Sequence, residues 1–298
     1  MATFLRDGRS PIIRVPAAPA ACIIGGNMRP GTRRAESGRP RRRNAGVTAA
    51  ARAFAPIAFC CLAVLSREPV AQTSIEAAPL PAPFSAGRPG AGLPQGWEPV
   101  ILTNRKKPTS YALDDVDGIV VLHASAVGAA SGLAQFTKFD IRAAPVVTWR
   151  WKADALVEGA DNRIAAQEDS PVRLLFAFDG DKSGLPFVER TIFYLTEKLS
   201  GRALPYALLQ YVWAEAIPVG TVIEHPYTSR VRMLVVASGH DGVGKWQSLS
   251  RNVFDDFRLA FGEEPGDLVG IGVLTDTDNT GGAVEAWYGD IRFGPADR

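Results

Sequence analysis

From residue 97 onward, short apolar runs recur between clusters of Gly, Asp and Asn, the pattern of many strands joined by turns. Residues 119–124 form one run. Residues 146–152 alternate, with Trp149 and Trp151 on one face and Arg150 and Lys152 on the other. Residues 172–178 gather Leu174, Phe176 and Phe178, and residues 208–213 place Tyr211 beside Trp213. With 231–237, 268–274 and 284–293, the patterning predicts about ten strands. Two segments carry helical spacing. In the first, Val188, Ile192, Leu195 and Leu199 fall on one face, and Gly201 supplies a stop. In the second, Asn252 is an N-cap, Asp255 and Asp256 favour the first turn, Phe254, Phe257 and Phe261 share a face, and Gly262 closes it. Strands do not alternate regularly with helices. The predicted fold class is therefore mainly β: a two-sheet antiparallel β-sandwich, jelly roll-like, with one or two short helices.

Charge divides the chain. Residues 1–72 hold twelve Arg, no Lys and three acids, a balance of +9, which leaves −7 for the remainder of a chain whose total is +2. An acidic domain lacks the clustered Lys and Arg that phosphate contacts need, so a nucleic-acid partner is not expected. The N-terminal excess has its own explanation. A cationic stretch at 39–43 precedes an apolar run at 54–65 and then a small residue, Ala71. That is the layout of a secretory signal peptide. The apolar run is short for a membrane span, which needs about 20 residues; a single anchor at the same place is the alternative. Cleavage is expected near Ala71, and the distance from Met1 makes Met28 the expected start. The expected organisation is 1–72 as N-terminal extension and signal peptide, 73–96 as a Pro/Ala-rich linker or extended arm, and 97–298 as the β-sandwich. Cys22, Cys60 and Cys61 all precede the expected cleavage point, so disulfides and thiolate metal sites are excluded from the exported domain.

Several motifs need weighing. Residues 239–245 match the spacing of a phosphate-binding loop. Trp246 stands where Ser or Thr must hold magnesium, however, and no helix follows, so a Gly-rich hairpin turn is expected. His123, inside an apolar strand, reads as a core residue. The three histidines show no metal-ligand spacing. The densest chemistry lies at 274–282, where Asp276, Asp278, Asn279 and Thr280 crowd one loop. Asp276 and Asp278 occupy the first places of a calcium loop, but Trp287 stands where the bidentate Glu belongs. This excludes an EF-hand and leaves three readings: a looser calcium site on Asp276 and Asp278, direct hydrogen bonding to ligand hydroxyls, or a turn whose side chains cap its own backbone. The pairs Trp149/Trp151 and Tyr211/Trp213 suit either a sugar-stacking platform or the core.

From about Trp97 to Phe293 the chain resembles the bacterial domain of unknown function 3047 family (DUF3047). The resemblance rests on Trp149-Arg150-Trp151-Lys152, Tyr211-Val212-Trp213, residues 228–232, Ser238-Gly239 and Trp246. It continues through Arg251-Asn252-Val253, Asp256, Phe261-Gly262, residues 275–281 and Tyr288-Gly289-Asp290-Ile291. It implies an exported bacterial domain without an established activity. The last strand is also similar, more loosely, to that of carbohydrate-binding jelly rolls.

The expected function is a non-catalytic, exported sandwich, periplasmic or secreted, that binds a glycan or other polar envelope ligand. Its expected ligand-binding residues are Arg251, Asp276, Asp278, Asn279, Trp287 and Trp213, with calcium on Asp276 and Asp278 as the one cofactor considered. Arg251 and Trp287 are expected to line the same end as the loop. Membrane contact is expected only through the export signal. The alternatives are a glycan hydrolase or lyase, which requires acids converging in one cleft, and an envelope scaffold domain.

Overall fold

Runs of apolar and alternating residues build thirteen strands among the described residues of the computed structural model, which are 81–101, 105–187, 189–191, 193–194, 204–225 and 228–296. All of these lie in the unit Ala71–Arg298. The expected signal segment falls outside them, as do the first helix's anchors Val188, Ile192, Leu195 and Leu199.

A seven-stranded sheet contains β1 (Glu98–Val100), β4 (Ala130–Phe139), β6 (Ser170–Phe178), β7 (Ala207–Ala214), β8 (Val222–Glu224), β9 (Val231–Ser238) and β11 (Leu268–Asp276). Its order is β1-β4-β11-β6-β7-β9-β8. The second sheet contains β2 (Ser110–Val116), β3 (Ile119–Val127), β5 (Val146–Ala153), β10 (Gln247–Asn252), β12 (Ala283–Tyr288) and β13 (Arg292–Gly294). Its order is β10-β5-β12-β3-β2, with β13 pairing β5 beyond the end of β12. The expected β-sandwich is present. One pairing, β7 with β9, is parallel in this otherwise antiparallel arrangement.

The two sheets share a core of Trp149, Trp151, Phe176, Phe178, Tyr211, Trp213 and Tyr288. Trp149 stacks on Tyr211 at 5.4 Å and meets Trp151 edge-on at the same distance. The aromatic pairs of the sequence are thus core residues, because their strand parity faces inward. The same parity corrects the reading of His123. On β3 the inward positions are Leu122, Ala124 and Ala126, so His123 lies on the outer face.

The second helix, α1 (Val253–Phe261), forms as expected. The Asn252 side chain accepts from the Asp255 N–H, and Gly262 closes the helix at φ 71°. Residues 239–245 are not a hairpin. They carry the chain from β9 in one sheet to β10 in the other, and Gly239 O accepts from Trp213 Nε1 at 3.0 Å. The described part of the expected linker is fastened to the domain. Phe84 is buried against Trp97 (4.9 Å), and Ser85 donates through N and Oγ to Asp290 at 2.9 and 2.6 Å.

A register shift in β11 between Leu274 and Asp276 leaves Thr275 without a β6 partner. Buried backbone groups must be paired, and tyrosines reaching across from the other sheet do this. The Thr275 N–H donates to Tyr111 OH (3.1 Å), and Tyr288 OH donates to Leu274 O (2.8 Å).

Candidate functional site

The loop after β11 is a clasp built from far-apart residues. Arg173, on β6, has a side chain only 2% exposed. It donates to both Asp276 oxygens at 3.1 Å, to Glu168 O at 2.9 Å and to Gln210 Oε1 at 3.0 Å. Asp276 also accepts from the Ser170 N–H at 2.9 Å. Burial pushes its carboxyl up to about 6, against the pull of Arg173. Asp278 pairs with Lys106 at 2.8 Å. Asp169 accepts from the backbone N–H groups of Asn279 and Thr280 and from Thr280 Oγ1. Asn279 donates to Glu168 O at 3.2 Å. One carboxylate oxygen from each of Asp169, Asp276 and Asp278 lies within 4.8 Å of the others. The residues that complete this cluster, Asp169, Glu168, Arg173 and Lys106, carried no sequence signal, because their partners lie far along the chain.

The structure does not bring the remaining expected residues to this loop. Arg251 faces Val147 on β5, six residues from Ala153, where β5 meets Ala286 near the loop end. At about 3.3 Å per residue that is roughly 20 Å. There Arg251 donates to both oxygens of buried Asp256, at 2.5 and 2.6 Å, and Tyr211 OH donates to the same carboxylate. Trp213 is 1% exposed, inside the core. Asp276 pairs with Arg173 on the outer side of the seven-stranded sheet, whereas Trp287 lies on the outer face of the other sheet. The single rim expected for Arg251, Asp276, Asp278 and Trp287 is therefore not formed. Nor do all the acids share one cleft: Asp276 and Asp278 meet Asp169 but hold Arg173 and Lys106, whereas Asp255 lies in the first turn of α1, Asp256 holds Arg251, Asp290 holds Ser85 and Glu285 holds Ser125.

Trp287 belongs instead to a polar surface on the outer face of the six-stranded sheet. Its ring stacks on His123 at 5.1 Å, and Lys152 Nζ sits 4.7 Å from its centre. Glu285, two residues earlier on the same face, accepts from Ser125 Oγ at 2.7 Å, and its second oxygen lies 2.6 Å from His123 Nε2. Two residues along β5 from Lys152, Arg150 covers the ring of Trp246 at 4.5 Å. Beyond Arg150 the face opens into a groove of about 680 Å³ lined by Thr148, Ser248, Ser250, Asp290 and Arg292. Register explains the row: Ser248 pairs with Arg150, while Ser250 and Arg292 flank Thr148. A second depression of about 480 Å³ shares Ser85, Asp290 and Arg292 with the first.

The family model described as Protein of unknown function (DUF3047) matches residues 95–292. No curated protein matches the chain. Among solved structures, the chain is similar to a carbohydrate-binding module specific for non-crystalline cellulose, at 14% identity and TM-score 0.34, over 73% of this chain and 94% of that one. It is similar to an endoglucanase from Rhodothermus marinus at 10% identity and TM-score 0.38, over 66% and 96%. A family 30 carbohydrate-binding module from a Clostridium thermocellum cellulase is similar at 10% identity and TM-score 0.31, over 73% and 95%.

Proposed function

This chain belongs to the DUF3047 family of proteins of unknown function, and from its own geometry we propose that it is an exported, non-catalytic β-sandwich that binds a glycan or other polar envelope ligand on the outer face of its six-stranded sheet. The observation that carries this reading is the groove of about 680 Å³, which presents the hydroxyls of Thr148, Ser248 and Ser250 beside the guanidiniums of Arg150 and Arg292. Hydroxyls both donate and accept, and guanidiniums donate in a fixed fork, so the row suits a ligand dense in hydroxyl and carboxyl oxygens. Trp246 and Trp287, flanking the Arg150–Lys152 row, add aromatic surface of the kind that packs on sugar rings. Export rests on the cationic and apolar segments at 39–65 and on the absence of cysteine after Cys61.

The Asp276–Asp278 loop takes a structural part in this reading, because each of its carboxylates already has a cationic or N–H partner. The test is a glycan array probed with the wild type and with Ser250→Trp, which fills the groove from an exposed strand position. Loss of binding at an unchanged melting temperature is the expected result. Binding by Ser250→Trp equal to that of wild type would place the ligand elsewhere.

A further inference from the structure

We infer that the ligand of this groove is an acidic glycan, a chain whose sugars carry carboxylates; this rests on the proposed binding face. The argument begins with two cations. Among the described residues, Arg150 and Lys152 have no carboxylate partner, and each instead lies over an indole ring, Trp246 at 4.5 Å and Trp287 at 4.7 Å. They project from the same face of β5 two residues apart, a spacing of about 7 Å. By contrast, Arg173, Arg251 and Arg292 are each paired with an acid. Two adjacent cations without a carboxylate partner thus border the groove, on a domain whose sequence from residue 73 onward balances to −7.

Of the acids on this face, Glu285 and Asp154 stand one step beyond Lys152, on the side away from the groove, and Asp290 alone borders it. Asp290 is engaged by Ser85 and Arg292, and Glu285 by Ser125 and His123. Arg150 is also held in place. It lies between the Trp246 ring and the backbone of Gly289, where a β-carbon would come within 2.5 Å of its Cγ. A guanidinium fixed by packing loses little freedom when it forks onto a carboxylate. The hydroxyls of Ser248, Ser250 and Thr148 then meet the uncharged oxygens of the same sugars. The groove and the neighbouring depression share Ser85, Asp290 and Arg292, so the trough continues past one sugar unit and suits a chain.

The experiment uses polygalacturonate, alginate and hyaluronate, each beside its methyl ester, which keeps the hydroxyls and removes the charge. The full chain is expected to bind at least one acid form and to bind its ester about tenfold or more weakly, the scale of a lost charge-assisted hydrogen bond. Binding is expected to weaken as salt rises from about 50 to about 500 mM, as screening shortens the Debye length. Arg150→Gln with Lys152→Gln is expected to lose the acid–ester difference, while Lys138→Gln, on the other sheet, keeps it. Equal, salt-independent binding of acid and ester that Ser250→Trp abolishes would overturn the acidic ligand and leave the binding face standing. Acid-form binding that survives Ser250→Trp would overturn both. No binding of any acid form would overturn the inference, and the array result would then decide the face.

Discussion

Arg150 lies flat on Gly289: a β-carbon there would stand 2.5 Å from Arg150 Cγ and 2.7 Å from its Nε. The Gly289 N–H also donates to Arg150 O at 2.9 Å, so strand pairing holds the two together. This gives a physical reason for a glycine between Tyr288, which faces the core, and Asp290, which fastens the arm at Ser85. Gly289→Ala is expected to lift Arg150 from its seat and to reduce glycan binding as much as Arg150→Ala does. The fold should survive with a loss of about 1–3 kcal/mol, the usual range for overpacking. Thermal denaturation and a binding isotherm on both variants check this; normal binding by Gly289→Ala would show that the seat does not position the guanidinium.

Much of the fold was legible because strand parity is written in residues such as Trp149-Arg150-Trp151-Lys152, where tryptophans turn inward and cations outward. The outward pair was therefore visible, but its significance was not, since the absence of a carboxylate partner is a three-dimensional fact. The acidic loop stood out as a run of oxygens, yet its meaning depends on Arg173, whose position 103 residues earlier no local pattern announces. Grouping Arg251 with Trp287 failed because sequence order does not say which end of a strand, or which face, a residue occupies. His123 shows how fine that distinction is: one step along β3 separates the core from the outer face.

The two aspartates of the loop should behave differently on truncation. Asp276→Ala removes the two-oxygen partner of buried Arg173 and leaves Glu168, at 3.2 Å, as its remaining paired carboxylate, so the cost should approach the ~3–5 kcal/mol of a broken buried pair. Asp278→Ala breaks a pair with Lys106 whose side chains are 14% and 30% exposed, so the cost should stay below about 1 kcal/mol. Chemical denaturation of the two variants separates these magnitudes. Equal, small losses would mean that Glu168 alone compensates Arg173.

The same pairing bears on calcium. Asp169, Asp276 and Asp278 would have to turn from Arg173, Lys106 and the Asn279 and Thr280 N–H groups toward an ion. Millimolar calcium is therefore expected to leave the melting temperature unchanged, and a chelator likewise. A bound ion at 100 times its dissociation constant adds about 2.7 kcal/mol. An upward thermal shift on adding calcium would reinstate the metal site.

Buried phenols set an alkaline limit. Burial raises Tyr111 and Tyr211 well above the ordinary phenol range and raises Tyr288 as well, and the Asp256 carboxylate adds to the effect at Tyr211. Each phenol holds its proton more tightly folded than unfolded. Their contribution is therefore complete below about pH 10, the unfolded value, and is lost as pH rises above it. A near-ultraviolet titration should show these three phenolates appearing only together with loss of tertiary structure. Smooth titration near the ordinary value while the fold persists would contradict their burial.

The tryptophans offer a direct readout of the proposed face. Trp97, Trp149, Trp151 and Trp213 are each no more than 5% exposed, whereas Trp246 and Trp287 are partly exposed on the outer surface. A neutral quencher should therefore reach only the latter two, and Trp246→Phe with Trp287→Phe should remove most of the quenchable emission. A glycan lying along the Arg150–Lys152 row would shield both rings together, since each is covered by one of those cations. Bound ligand is thus expected to protect wild-type emission from the quencher, with a midpoint equal to that of the binding isotherm. Ligand that binds yet leaves quenching unchanged would put its contacts away from this sheet.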